Sequence, residues 1–334
     1  MEYTVKLPDM DSLTPFTWVG CNPHYSRSDT EATDWMLSYG VLSGNKRASL
    51  IKTNPDKLMA YTYPYADPKS LRLASDYAAI LFALDEFTDD QSADEAKATR
   101  DIFSNALSGR SGDDASPITL FTKDFLERFS SASEELRARF VTHCIGYIDA
   151  TAREAGLRAT GQTPSFEDYV QLRRQNGGLF PAFEMVEFAL GFTLPAGVLE
   201  DNDFQNIVFA AMDIICMSND IYSFKMEYAS GNDFCNAVSS LMHDNGLSQQ
   251  AAVDRAGRLY KQRCDDMISS KKALRSFGAE TDEMIRKYVW ALEQWITGYN
   301  VWQLETTRFF GDKSKEVNST GIVKISHRKA IRVA

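Results

Sequence analysis

The stretch DPKSLRLASDYAAILFALDEFTDD, residues 67–90, decides the fold class. Asp67 suits a helix N-cap and Pro68 the first helical position, where a missing N–H leaves no hydrogen bond unmade. Behind them, apolar residues recur at three- and four-residue intervals, which gathers them on one face of a helix. From about residue 67 onward the same spacing continues and alternating β-branched runs are scarce, so the sequence predicts an all-α fold. The turn-rich LSGRSGDDASP (107–117) reads as a connector, and Thr163-Pro164-Ser165 with Asp168 behind it reads as another helix start. Gly177-Gly178 interrupts a helical segment. Each glycine there costs roughly 1 kcal/mol relative to alanine, so a kink or break is expected. Residues 1–312 read as one helical domain and residues 313–334 as a loosely held basic tail.

Composition narrows the function classes. With 44% hydrophobic residues among 334, the chain can bury a sizeable core. Forty-six acidic against thirty-six basic residues leave a net charge of -10, which argues against a nucleic-acid partner, because phosphate binding requires clustered Lys and Arg. The five cysteines are scattered, odd in number and form no CxxC pair, as expected of free thiols in a reducing cytoplasm. The first residues lack the basic start and apolar run of a secretory signal. The apolar run Ile207 to Met217 is interrupted by Asp213 and falls short of the ~20 residues that cross a bilayer, so no membrane span is expected.

No nucleophile elbow, zinc-protease motif or phosphate loop is present, and the four histidines lie far apart. The informative atoms are oxygens. Asp85 and Asp89 are four residues apart, hence on one helical face, with Glu86 and Asp90 beside them. Such a cluster is either a solvated acidic face or a site neutralised by a hard divalent cation, and its spacing does not choose between them. Far downstream, in AMDIICMSNDIYSFKMEYASGND (211–233), Asn219, Ser223 and Glu227 are spaced by four and four. They form one stripe of amide, hydroxyl and carboxylate oxygens suited to Mg²⁺. The apolar run before them predicts a buried helix, where a polar stripe needs a metal or hydrogen bonds unless it marks the helix reaching solvent.

Together, DEFTDD and NDIYSFKME resemble the two metal-binding motifs of class I terpene synthases, the aspartate-rich D(D/E)xxD and the triad NDxxSxxxE. The nearest likeness is to sesquiterpene synthases of basidiomycete fungi, and it covers most of the chain. The pair of motifs is specific where either alone is weak. The resemblance implies a single helical bundle enclosing an apolar cavity. It also implies three Mg²⁺ ions held with a prenyl diphosphate between Asp85 and Asp89 on one rim and Asn219, Ser223 and Glu227 on the other. It places a diphosphate-sensing arginine at Arg173, with Arg174 the neighbour that could be mistaken for it. Asn176 then links this sensor to Gly177, whose carbonyl would face the developing cation; a packing kink is the alternative. Near the carboxyl end, VWQLETTRFFG (301–311) keeps the arginine of the family's Arg-Tyr pair as Arg308 but has Phe309 for the tyrosine. Leu81, Phe82, Phe87 and Trp302 match cavity-lining places, and are otherwise ordinary core residues.

The activity so implied is the magnesium-dependent ionisation of farnesyl diphosphate and conversion of its carbocation to a sesquiterpene, a carbon–oxygen lyase reaction. Geranyl diphosphate as substrate remains an alternative. A chain-elongating prenyltransferase normally needs a second aspartate-rich motif, and Asp265-Asp266 lacks the partner for one. A catalytically silent diphosphate-binding bundle stays open, as do monomer and homodimer.

Overall fold

The helix predicted at Pro68 begins there: Asp67 Oδ1 accepts the Ser70 amide at 2.7 Å, and the helix runs Pro68–Thr88. The computed structural model describes residues 2–26, 29–88 and 91–326. Helix makes up 74% of it, which fixes the class as all-α. In chain order the helices are α1 (Met10–Leu13), α2 (Glu31–Ser38), α3 (Gly44–Thr53), α4 (Pro55–Thr62), α5 (Pro68–Thr88), α6 (Ala93–Leu107), α7 (Pro117–Arg128) and α8 (Glu134–Thr160). There follow α9 (Phe166–Asn176), α10 (Leu179–Leu190), α11 (Ala196–Leu199), α12 (Asn202–Ser230), α13 (Ala237–Asn245), α14 (Gln249–Ala273), α15 (Ala279–Glu305) and α16 (Ser314–Thr320).

The expected boundaries have local causes. The connector at 107–117 separates α6 from α7, whose N-cap is Ser116 with Pro117 at the first helical position. Ser165 caps α9 by accepting the Asp168 amide at 3.1 Å, while its hydroxyl donates to the Asp168 carboxylate at 2.7 Å. Between α9 and α10 the glycine pair breaks the helix, with Gly178 at φ 66°, in the left-handed region. A Cβ at Gly178 would stand 2.3 Å from Leu81 Cδ1, and one at Gly177 would stand 2.9 Å from the Arg173 carbonyl and 3.0 Å from Cys216 Sγ. Close packing of α5 and α12 on this turn therefore requires both glycines.

At the centre lies α12, packed on α14, α15, α9 and α13. Among the described residues it is the one helix long and apolar enough to cross a membrane, but 83% of its most apolar window is buried against neighbours, as in a core helix. Its buried Asp213 is compensated by Arg174, which donates from Nε and Nη2 at 2.7 Å each, and by Arg263 Nε at 3.1 Å. Arg174 is thereby a fastener between α9 and α12.

The tail is not loose as far as residue 326. Strand β1 (Glu2–Lys6) pairs antiparallel with β2 (Ile322–Ser326), in a register running from Lys6 opposite Ile322 to Glu2 opposite Ser326. Val5, Val323 and Ile325 are buried by this strap. Five-residue strands carry little local signal, and the partner that stabilises β2 is at the other end of the chain. Residues 327–334 lie outside those described.

Candidate active site

The ends of α5, α9 and α15, the start of α10 and the middle of α12 enclose a cavity with two compartments. The inner one is walled by Leu81 and Phe82 of α5, Ile215 and Cys216 of α12, and Trp295, Tyr299 and Trp302 of α15, among others. The outer one is a polar rim that includes Asp85, Glu86, Glu154, Arg158, Arg173, Asn219, Ser223, Glu227 and Arg308. Asp85, Arg173, Asn176, Asn219 and Arg308 line both, so they form the boundary between the greasy floor and the charged mouth. Helical spacing produces this layering. Leu81 and Phe82 sit one turn below Asp85 on α5, and Trp295, Tyr299 and Trp302 repeat at i, i+4 and i+7 on α15.

Tyr77, Phe82, Tyr147, Trp295, Tyr299 and Trp302 bring aromatic rings to the wall below the boundary. Phe82 and Trp302 stack with centroids 6.4 Å apart, and the Arg308 guanidinium carbon lies 5.3 Å from the Phe82 centroid. Arg308 also donates to Thr53 Oγ1 at 2.7 Å and lies 3.7 Å from Asp85 Oδ2 and 3.6 Å from Glu86 Oε1. Asp89 falls outside the described residues.

Arg173 is held on three sides. Its Nε donates to Asp220 Oδ1 at 3.1 Å, its Nη2 to Asn219 Oδ1 at 2.7 Å and its Nη1 to Asn176 Oδ1 at 3.4 Å. Asp220, buried, also receives the Tyr169 hydroxyl and, at 2.7 Å, the Ala237 amide. Asn219 Nδ2 in turn donates to the Tyr299 hydroxyl at 2.8 Å, which leaves its carbonyl oxygen on the rim side with Arg173.

The polar stripe of α12 fits a hard cation. Asn219, Ser223 and Glu227 all line the rim. Glu227 accepts from Asn236 Nδ2 at 2.9 Å, yet burial, with Asp220 close by, pushes its carboxyl above the usual carboxylate range. A carboxylate so under-compensated beside an amide and a hydroxyl oxygen is the donor set Mg²⁺ prefers. Among the described residues no three His, Cys, Asp or Glu side chains gather as a metal site, so the amide and hydroxyl oxygens of the stripe would have to share in holding a cation.

Residues 76–266 match the family model described as terpene synthase family 2, C-terminal metal binding. The chain belongs to the terpene synthase family. It is 32% identical to a sesquiterpene synthase of Piloderma croceum, over 96% of this chain and 95% of that one. It is also 36% identical to a protein of Coprinopsis cinerea named linoleate 10R-lipoxygenase, over 96% of this chain and 92% of that one. The linalool/nerolidol synthase from Streptomyces clavuligerus, solved in complex with 2-fluorogeranyl diphosphate, superposes with a TM-score of 0.77 at 23% identity, covering 89% and 99% of the two chains. That likeness is one of fold.

One expectation changes. Phe87 lines neither compartment: two residues past Asp85 it is turned about 200° around α5. Phe309 lines the rim with Arg308, packed edge-on against Trp302 at 5.9 Å and beside Tyr222 at 6.4 Å. Several residues of the candidate site are not singled out by the sequence reading. Trp295 and Tyr299 carried a readable signal, their helical register with Trp302; Asp220, next to Asn219, carried a weaker one, and Glu154 and Tyr147 none.

Proposed function

We propose that this terpene synthase is a magnesium-dependent carbon–oxygen lyase that ionises farnesyl diphosphate and converts the carbocation to a sesquiterpene. One observation supports this most directly: charged and amide side chains line the boundary where the aromatic-walled floor meets the oxygen-rich mouth. A prenyl diphosphate is divided in the same way, with an apolar chain at one end and a polyanion at the other. As its carbon–oxygen bond breaks, the electron pair leaves with diphosphate, and Arg173 and Arg308 offer fixed positive charge to that leaving group. Asp85, Asn219, Ser223 and Glu227 would hold Mg²⁺, which when bound neutralises the diphosphate charge. The faces of Phe82 and Trp302 present negative electron density to the cation left behind.

The fifteen-carbon substrate is favoured by the sesquiterpene synthase of Piloderma croceum, similar over nearly its full length. The five free cysteines accord with a cytoplasmic location.

The test is incubation of the purified protein with farnesyl or geranyl diphosphate, with Mg²⁺ or with EDTA, followed by gas chromatography and mass spectrometry. Magnesium-dependent fifteen-carbon products are expected. Product from geranyl diphosphate alone would move the assignment to ten carbons, and folded protein inert to both would refute it.

A further inference from the structure

Asn176 has two chemically different ends, and each faces a different kind of neighbour. Its Nδ2 donates to Glu154 Oε2 at 2.6 Å and lies 3.5 Å from Cys235 Sγ, while its Oδ1 accepts from Arg173. Turned over, the amide would set N–H against guanidinium N–H and carbonyl oxygen against carboxylate. The acceptor-only Glu154 therefore decides which end of Asn176 meets the arginine. The remaining Arg173 contacts run to Asp220 and Asn219 on α12, so the Asn176 carbonyl is the one hold on its guanidinium that comes from α9 itself. Glu154 stands on α8, outside both metal-binding motifs, half-buried on the rim. Burial raises its carboxyl, and the nearby Arg173 is the largest influence opposing that rise.

We propose that Glu154 is a positioning residue, which through Asn176 orients Arg173 towards the rim that receives diphosphate. This rests on the reading of the rim given above. A purely structural Glu154 would instead tie α8 to α9 without affecting what Arg173 can bind.

The pairing can be inverted. Asn176→Asp sets two carboxylates against each other, Glu154→Gln removes the anion, and the double variant restores one donor and one acceptor with their roles exchanged. Each full-length protein is measured for Tm, for Mg²⁺-dependent affinity for inorganic pyrophosphate by titration calorimetry, and for kcat and KM with farnesyl diphosphate. Breaking a charge-assisted hydrogen bond should weaken pyrophosphate binding about 10-fold or more in Asn176→Asp. Glu154→Gln should lose a few-fold, and the double variant should return to within about 3-fold of the parent. Losses that add in the double variant overturn the proposal. Recovery of Tm without recovery of affinity overturns it too, since only the tie between helices would then remain. A parent protein that binds no pyrophosphate and makes no product instead removes the functional reading on which the proposal stands.

Discussion

Replacing Gly178 by alanine probes the turn that brings Arg173 and Gly177 to the cavity. The residue has φ 66°, where an L side chain costs about 1–2 kcal/mol. The new methyl would also stand 2.3 Å from Leu81 Cδ1 and 2.8 Å from Cδ2. Inserting a carbon into a packed site costs about 1–3 kcal/mol, with the lower part of that range apt here because Leu81 can turn at its tip. The sum is about 3 kcal/mol of lost stability, read from the urea midpoint at constant m. Leu81→Ala separates the two contributions: it removes the collision but leaves the backbone cost. The double variant should therefore be more stable than the sum of the singles by about 1–2 kcal/mol. Since Leu81 lines the inner compartment, its displacement should alter the product mixture as well. A Gly178→Ala protein within about 0.5 kcal/mol of the parent, or one showing no coupling to Leu81, would refute the claim that packing requires this glycine.

Two further outcomes are expected. Phe82→Ala removes a ring that stacks on Trp302 below the boundary, so it should change the product profile while leaving Mg²⁺-dependent pyrophosphate affinity within about 2-fold; an unchanged profile would take Phe82 out of the reaction path. Glu187, 1% exposed, accepts from Arg139 at 2.6 Å and from the Leu194 amide at 2.7 Å, and burial with Glu184 nearby pushes its carboxyl from 4.5 up to about 7. The folded state thus holds this proton more tightly than the unfolded state. The resulting stability is present below pH 4.5 and is lost as pH rises through 7. Between pH 5 and 8 this amounts to about 2 kcal/mol, and Glu187→Gln should flatten the stability profile by that amount, whatever its absolute cost; a slope unchanged by the substitution would contradict it.

Much of the fold was legible because its signals are local. Asp67-Pro68, Ser165 with Asp168, and the glycine pair each act through hydrogen bonds or sterics within a turn, and each marks a boundary in the structure. The stripe of Asn219, Ser223 and Glu227 was legible for the same reason, since helical spacing alone puts it on one face. Arg173 could be told from Arg174 only through the family resemblance, yet the structure shows why they differ: one faces Asn219 across the cavity boundary, the other Asp213 on the outer side. What stayed hidden depends on contacts between distant segments. The Glu154 to Asn176 pair joins α8 to α9, and β2 is paired with residues more than three hundred positions away. Phe87 misled because the family match was followed against helical spacing, which by itself turns this residue about 200° away from Asp85.

The β1–β2 strap has a topological consequence. Residues 2 and 326 face each other as register partners, so two segments more than three hundred positions apart are clamped side by side. A short polar link joining residue 326 directly to residue 2 would close residues 2–326 into a ring, and the turn between α6 and α7 offers a place to open it. A permuted chain starting near Pro117 would then make the acidic rim of α5 last and Arg173 early. The present chain does the reverse, completing its cavity only when Arg308 arrives.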